Sequence, residues 1–304
     1  MTDILHIGSE VADALAAGDA VVALESTIFS TLGLPEPANR ACFQRVVAAL
    51  RRGGAVPALC GVLDGAAIVG ADTAQVERLF EGSAKLAARD LSSAVAAKLQ
   101  VGVTTVSATA TLAAAAGIEV FATGGIGGVH RGAEHSGDVS ADLEALARQP
   151  VVVVSAGVKA FLDVALTVER LETLGVTVLG WRTDRFPAFY VRDGGLGLSH
   201  TVDDGNQVAE ALRAASVLGH RSGILVVNPI PGDAELDRAM IDEVVSKADD
   251  DARRAGMSGA DVTPAVLAAL VEATDSAVVP ANIALAESNA AVAAEIAAAL
   301  AQQR

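Results

Sequence analysis

Three stretches of this sequence carry side chains able to do chemistry. In Leu24-Glu25-Ser26-Thr27-Ile28-Phe29-Ser30 a carboxylate follows an apolar run and keeps apolar company. Burial disfavours the charged form of a carboxyl group, so Glu25 is a candidate general acid near neutral pH; a Glu bound to backbone amides or an arginine is the structural alternative. In Val153-Val154-Ser155-Ala156-Gly157-Val158-Lys159-Ala160-Phe161-Leu162-Asp163 a lone lysine stands between an apolar run and an amphipathic stretch. Desolvation favours the free amine, the form that makes imines or attacks a sugar carbonyl, whereas a snorkelling lysine or a phosphate clamp would keep its charge.

The third stretch runs from Thr123 through Gly124-Gly125-Ile126-Gly127-Gly128 to His130, Glu134, His135, Asp138, Ser140, Ala141 and Asp142. Its glycines let backbone amides approach an anion, and its His, Glu and Asp side chains are possible metal ligands. No Gly-Lys-Ser/Thr follows the glycines and they do not open the first βα unit, so neither a P-loop nor a dinucleotide fingerprint is present. Ser140 is expected to cap a helix running to Arg148, which puts Asp142 in its first turn and Asp138 in the loop before it. One carboxylate with waters suits Mg²⁺ or Mn²⁺. His130 and His135, with neither a Cys nor a tight His-x-x-x-His spacing, do not make a zinc site. Lys85-Leu86-Ala87-Ala88-Arg89-Asp90 is expected to set a cation and an Arg–Asp pair on neighbouring helical turns, most simply as surface salt bridging. Thr263 and Asn282 are expected at helix starts, where they could cap or face a ligand.

These stretches sit between short Val/Ile/Leu runs: Ala20 to Leu24, Val56 to Gly61, Gly102 to Val106, Glu119 to Ala122, Val151 to Ser155, Val176 to Gly180 and Gly223 to Asn228. The runs alternate with Ala-rich helical segments, the pattern of βαβ units, and are nearly continuous in apolar residues, as strands buried on both faces are. The expected fold is therefore α/β, a three-layer α/β/α sandwich with a largely parallel central sheet. In such sheets ligands bind beyond the carboxyl ends of strands, where Glu25, Thr123 and Lys159 fall. Helices are expected over Ala234 to Ala255 and Ala281 to Ala301, with another starting near Pro264, and Thr183 to Asp204 is the most irregular segment, a possible flap. Asp249-Asp250-Asp251 with Arg253-Arg254 reads as a solvated helix face. With no repeat or linker visible, a single domain over residues 1–304 is the simplest organisation.

Composition narrows the function classes. The 304 residues are 52% apolar and 19% charged, enough for a large core. No unbroken apolar run has transmembrane length, and Met1 to His6 does not read as a signal peptide, so a cytoplasmic protein without a membrane partner is expected. A net charge of -15 opposes binding of a nucleic-acid polymer, which needs clustered Lys and Arg, while one local cation or helix N-terminus can still hold a small phosphorylated ligand. Cys42 and Cys60 are expected as core thiols in a helix and a strand.

Taken in order, Ala23 to Thr27, Lys85 with Arg89-Asp90, Thr104 to Thr109, the Gly-rich stretch through Asp142, Ser155 to Leu162, Phe186-Pro187-Ala188-Phe189-Tyr190, Asn228-Pro229-Ile230-Pro231 and Ala281 to Leu285 resemble the pseudouridine-5'-phosphate glycosidase family, also called indigoidine synthase A-like. The resemblance spans nearly the whole chain. It implies reversible conversion of pseudouridine 5'-phosphate and water to ribose 5-phosphate and uracil, by cleavage of a carbon–carbon glycosidic bond. It implies that Lys159 attacks C1' of the ribose, that Glu25 donates a proton and that Asp138 serves a Mn²⁺ site. Substrate contacts carried over are Lys85, the backbone of Val106 and Ser140-Ala141-Asp142, with Thr123, His130 and Asn282 as further ones. The family is trimeric, so a homotrimer is implied too. Asp275 and Val278-Val279-Pro280 depart from the small, glycine-containing pattern usual before the Asn, and Thr183 to Arg185 also diverges. Two rivals share parts of this reading: an imine-forming aldolase on a phosphosugar, which would need no uracil pocket, and a non-catalytic phosphosugar-binding regulator, which would not need Glu25, Lys159 and Asp138 together.

Overall fold

The computed structural model describes residues 4–255, 262–274 and 276–303. Its strands are β1 (Leu5–Ile7), β2 (Val21–Leu24), β3 (Val56–Leu63), β4 (Ala66–Val69), β5 (Lys85–Leu86), β6 (Val101–Thr104), β7 (Val120–Ala122), β8 (Val129–His130), β9 (Val152–Ser155), β10 (Leu162–Asp163), β11 (Thr177–Trp181), β12 (Thr201–Val202) and β13 (Ile224–Val227). Its helices are α1 (Ser9–Ala17), α2 (Ala38–Arg52), α3 (Thr73–Phe80), α4 (Leu91–Ala96), α5 (Val106–Ala116), α6 (Ala133–Ser136), α7 (Ala141–Arg148), α8 (Val164–Thr173), α9 (Gly205–Val217), α10 (Arg238–Arg254), α11 (Val262–Ala273) and α12 (Val278–Gln302).

Every expected apolar run contains a strand, and the reason is visible in the burial. Val152, Val153 and Val154 of β9 and Leu225, Val226 and Val227 of β13 are fully buried, so β-branched and Leu side chains fill both faces of the sheet. The order β3-β2-β7-β9-β13-β11-β12 is parallel throughout. Strand β3 outlasts its parallel partner. Val56 to Leu59 pair with β2, and the second half turns to antiparallel pairing with β4 and β6, to which β1 and β5 add in parallel. Of that side sheet only β6 lay in an expected run; β1, β4, β5 and the antiparallel pairing were not foreseen.

Helices α2 and α9 pack along α12, which itself lies across β2, β7 and β9, while α5 and α7 pack together with α5 against β2, β3 and β7. By length and composition alone α12 could cross a membrane, yet 67% of its apolar stretch is buried inside the fold, as befits a core helix. It begins at Val278, with Pro280 in its first turn, where a missing N–H costs nothing. Asn282 is therefore inside the helix and not at its start, which corrects the expectation of a cap. Helix α11 begins at Val262, close to Pro264. Asp275, the side chains of Arg253, Thr263 and Pro264, and Met1 to Asp3 lie outside the described residues. In α10 Asp250 and Asp251 are exposed and Asp251 pairs with Arg254 at 2.7 Å, the solvated face expected there. Cys42 and Cys60 are buried and unpaired, with thiols that burial pushes up to about 12.

Candidate active site

The carboxyl ends of β2, β7 and β9 meet over one cleft. Glu25 leaves β2 at the floor of that cleft and is 5% exposed. The next two residues tie it to the end of β6: Ser26 Oγ accepts from the Thr104 amide at 2.9 Å and Thr27 Oγ1 donates to the Thr104 carbonyl at 2.7 Å. Thr123, after β7, donates its hydroxyl hydrogen bond to the Glu25 carboxyl. Burial raises the Glu25 pKa above the ordinary carboxylate value; the nearby Lys159, the Thr123 hydroxyl and Lys85 pull the other way, and Asp142 adds to the rise. A carboxyl in this setting holds its proton to higher pH than one in water.

Lys159 is placed by a folded-back loop after β9. Gly157 takes φ +78°, with its Cα side only 2.0 Å from the Pro187 carbonyl as a Cβ would measure it, so no side chain fits there. The Phe186-to-Tyr190 segment forms the shelf beneath, Phe189 N donating to Ala156 O at 2.9 Å and its ring lying against Gly125. This gives the Phe-Pro-Ala-Phe-Tyr motif a role that its residue types alone did not disclose. The 183–204 segment is irregular as expected, but Phe186, Phe189 and Tyr190 anchor it in the core. The Lys159 amide donates to Ile126 O at 3.1 Å, locking the lysine loop to the Gly-rich loop.

Lys85 enters from the other side. It sits on β5, opposite Val103 of β6, and not on a helix; Ala88 to Asp90 form a single 3-10 turn in which Asp90 Oδ2 accepts from Ala87 N at 2.9 Å. The Arg89–Asp90 ion pair, at 3.6 Å, is the surface salt bridge expected. Lys85 is exposed at the open cleft, with Glu25, Lys159 and Asp142 around the same space. Burial and then the neighbouring Lys159 pull its pKa below the ordinary lysine value, against Glu25 and Asp142.

The cleft has two lobes joined at Glu25, Thr27, Lys85, Lys159 and Phe161. The polar lobe gathers His130, Asp138, Ser140, Ala141 and Asp142. The apolar lobe is walled by Ile28, Leu34, Phe189, Leu270, Val278 and Val279, with Asn282 among them. Asn282 bonds to Tyr190, whose pKa is raised by burial, but its buried Oδ1 has no partner. An unpaired buried acceptor of this kind is available to a ligand N–H. Val278 and Val279, in the divergent segment, therefore shape the apolar lobe directly, and Ser276 just before them holds φ +65°, a backbone region that glycine occupies with least strain. Val106 and Thr123, at 1% and 4% exposure, stand behind the walls and do not line either lobe.

Asp142 is committed to the protein. Ser140 caps α7 and accepts from Asp142 N at 3.2 Å, which turns the carboxylate inward; Oδ1 accepts from Ser107 N at 2.8 Å and Oδ2 from Gly127 N at 2.9 Å. The side chain thus clamps the start of α5 to the Gly-rich loop. Asp138 lies in the loop before Ser140, 32% exposed at its side chain, with His130 Nδ1 at 3.8 Å from Oδ2. Among the described residues no three His, Cys, Asp or Glu side chains gather to enclose an ion. The donors present fit a hard divalent ion held by Asp138 and completed by water and ligand oxygens, and do not fit zinc.

The family model described as indigoidine synthase A-like protein matches residues 10–299. A pseudouridine-5'-phosphate glycosidase from Salinispora tropica is 50% identical over 99% of this chain and 93% of its own length. One from Paracoccus denitrificans is 47% identical over 99% of this chain and all of its own. Among solved structures, the prealnumycin C-glycosynthase AlnA in complex with ribulose 5-phosphate superposes with a TM-score of 0.92 at 36% identity, covering 100% of this chain and 99% of that one. An indigoidine synthase A-like protein from Thermotoga maritima gives 0.87 at 33% identity, covering 98% and 97%.

Proposed function

The chain belongs to the indigoidine synthase A-like family, and from that premise we propose that it is a pseudouridine-5'-phosphate glycosidase. The observation that carries the proposal is the junction of the two lobes, where a desolvated carboxyl, Glu25, faces two lysines between a polar and an apolar chamber. The polar lobe suits a ribose phosphate: Lys85 offers positive charge, and the Ser107 and Ser140 side chains line the lobe. The apolar lobe suits a flat base, with Asn282 Oδ1 accepting from a ring N–H.

Uracil joined through carbon leaves badly, so hydrolysis through an oxocarbenium ion faces a high barrier, and an amine adduct offers an electron sink. In this reading the Lys159 amine bonds to C1' as the C1'–O4' bond breaks, and Glu25 gives O4' its proton. The Glu25 carboxylate then takes a proton from the lysine nitrogen, whose electron pair forms the C=N bond as the C1'–C5 bond breaks. That proton passes to C5 and releases uracil. Water hydrolyses the imine to ribose 5-phosphate and free Lys159. Asp138 would hold Mn²⁺, which when bound supplies charge stabilisation for the phosphorylated sugar. A trimeric, cytoplasmic enzyme belongs to the same proposal.

The test is release of uracil from pseudouridine 5'-phosphate with Mn²⁺, followed by trapping with ribose 5-phosphate and a hydride reductant. A reduced sugar adduct on Lys159, absent in Lys159→Ala, is the expected result. An adduct on Lys85, or undiminished uracil release by Lys159→Ala, overturns the assignment of the nucleophile.

A further inference from the structure

Behind Glu25 runs a buried polar chain to which the reaction above gives no part. Asn289, on α12, is fully buried among the alanines of that helix. Its Nδ2 donates to Thr123 O at 2.8 Å and Gly124 O at 3.2 Å, and its Oδ1 accepts from Asn228 Nδ2 at 3.0 Å. Asn228, at the end of β13, donates also to Ser288 Oγ at 3.0 Å. An amide placed in an apolar helix interface costs free energy unless all its groups are bonded, and here both amide hydrogens and the oxygen are. What the chain grips is the turn after β7 that carries Thr123, and Thr123 is the residue that donates to Glu25.

We infer that Asn289, backed by Asn228, is a positioning residue: it fixes the Thr123-Gly124 turn so that the Thr123 hydroxyl stays on the Glu25 carboxyl, and so sets how tightly that acid holds its proton. The inference rests on the proposed role of Glu25 as proton donor. The other groups facing Glu25 are Lys159 from the loop after β9, Lys85 from β5 and Asp142 from α7, none of which Asn289 touches. A hydroxyl donating to a carboxylate favours the charged form, so losing that bond raises the pKa of Glu25.

The experiment is a pH titration of the full chain labelled with 13C-glutamate, the Glu25 carboxyl being assigned by its absence in Glu25→Gln. Thr123→Val and Asn289→Ala should each move the Glu25 midpoint upward by on the order of half to one pH unit. The double variant should move it no further, and Thr123→Ser should leave it at the parent position. Asn228→Ala, at the far end of the chain, should shift it in the same direction by less, and it decides the matter if Asn289→Ala fails to fold. A folded Asn289→Ala with the parent midpoint overturns the inference, as does an unmoved Asn228→Ala beside an unfolded Asn289→Ala. So does a shift in Asn289→Ala that Thr123→Val does not share. Full uracil release by Glu25→Gln would instead remove Glu25 as the donor, leaving the titration to judge the positioning chain by itself.

Discussion

Replacing Asp142 by alanine separates a structural clamp from a ligand contact. The carboxylate receives two backbone amides, from Ser107 at 2.8 Å and Gly127 at 2.9 Å, and the residue is 6% exposed. Alanine would leave both N–H groups unpaired, at about 1–3 kcal/mol each, and would remove a negative charge from the N-terminus of α5, worth about 0.5 kcal/mol. The sum is about 2.5–6.5 kcal/mol. Asp142→Asn keeps the shape and one acceptor but turns an NH₂ toward a backbone N–H, so roughly half of that loss is expected. Urea unfolding followed by circular dichroism, at one protein concentration and pH 7, measures both. Asp138→Ala is the control: its partly exposed side chain lacks such a pair of amides, so about 0.5 kcal/mol or less should be lost. Asp142→Ala within about 1 kcal/mol of the parent would refute the clamp. A pure ligand contact would leave stability alone and weaken only substrate binding.

Other perturbations have equally definite outcomes. Gly157→Ala forces a Cβ to 2.0 Å from the Pro187 carbonyl at φ +78°, and should displace the Lys159 loop and cut uracil release by at least about tenfold; Gly137→Ala, at φ +68° with open space around it, should cost only about 1 kcal/mol and little activity. Because the Glu25 pKa is raised in the folded protein above the ordinary carboxyl value of 4.5, the folded state keeps a proton that the unfolded chain gives up, so stability should fall as pH rises from about 4.5 through the raised value. Glu25→Gln should flatten that slope, and an unchanged slope in paired urea titrations would contradict the desolvated carboxyl. Cys42 and Cys60, with thiols near 12, should resist iodoacetamide in the native protein at pH 8 and react fully in urea, as mass spectrometry would show.

How much of this was legible in the sequence follows from the range of the signals. Strands β2, β3, β6, β7, β9, β11 and β13 announce themselves because burial on both faces demands runs of Val, Leu and Ile, a local and redundant pattern. The loop chemistry of Ser140, Asp138 and Asp142 was likewise local, since a capping serine fixes which carboxylate enters the helix. Strand β5 was invisible because two residues have no period, and Lys85 was consequently expected on a helix. The lowered pKa of Lys85 gave no local signal for a different reason: it arises from enclosure by the cleft walls and from Lys159, a neighbour distant in sequence. Asn289 gave no signal at all, being one polar residue in an Ala-rich helix that most simply reads as solvated, and only its long-range bonds to Thr123, Gly124 and Asn228 reveal its place.

The local charge balance explains how a chain of net charge -15 can offer a site to an anion. Two acids of the cleft, Glu25 and Asp142, are held in different ways. Glu25 is driven toward its neutral form by burial, and the Asp142 carboxyl is turned to the backbone amides of Ser107 and Gly127. Lys85 and Lys159 face the shared junction, and the acidic outer surface acts mainly at ranges beyond a Debye length of about 8 Å, where salt screens it. A single phosphate can enter such a site, whereas a polynucleotide would have to lay its further phosphates against acidic surface.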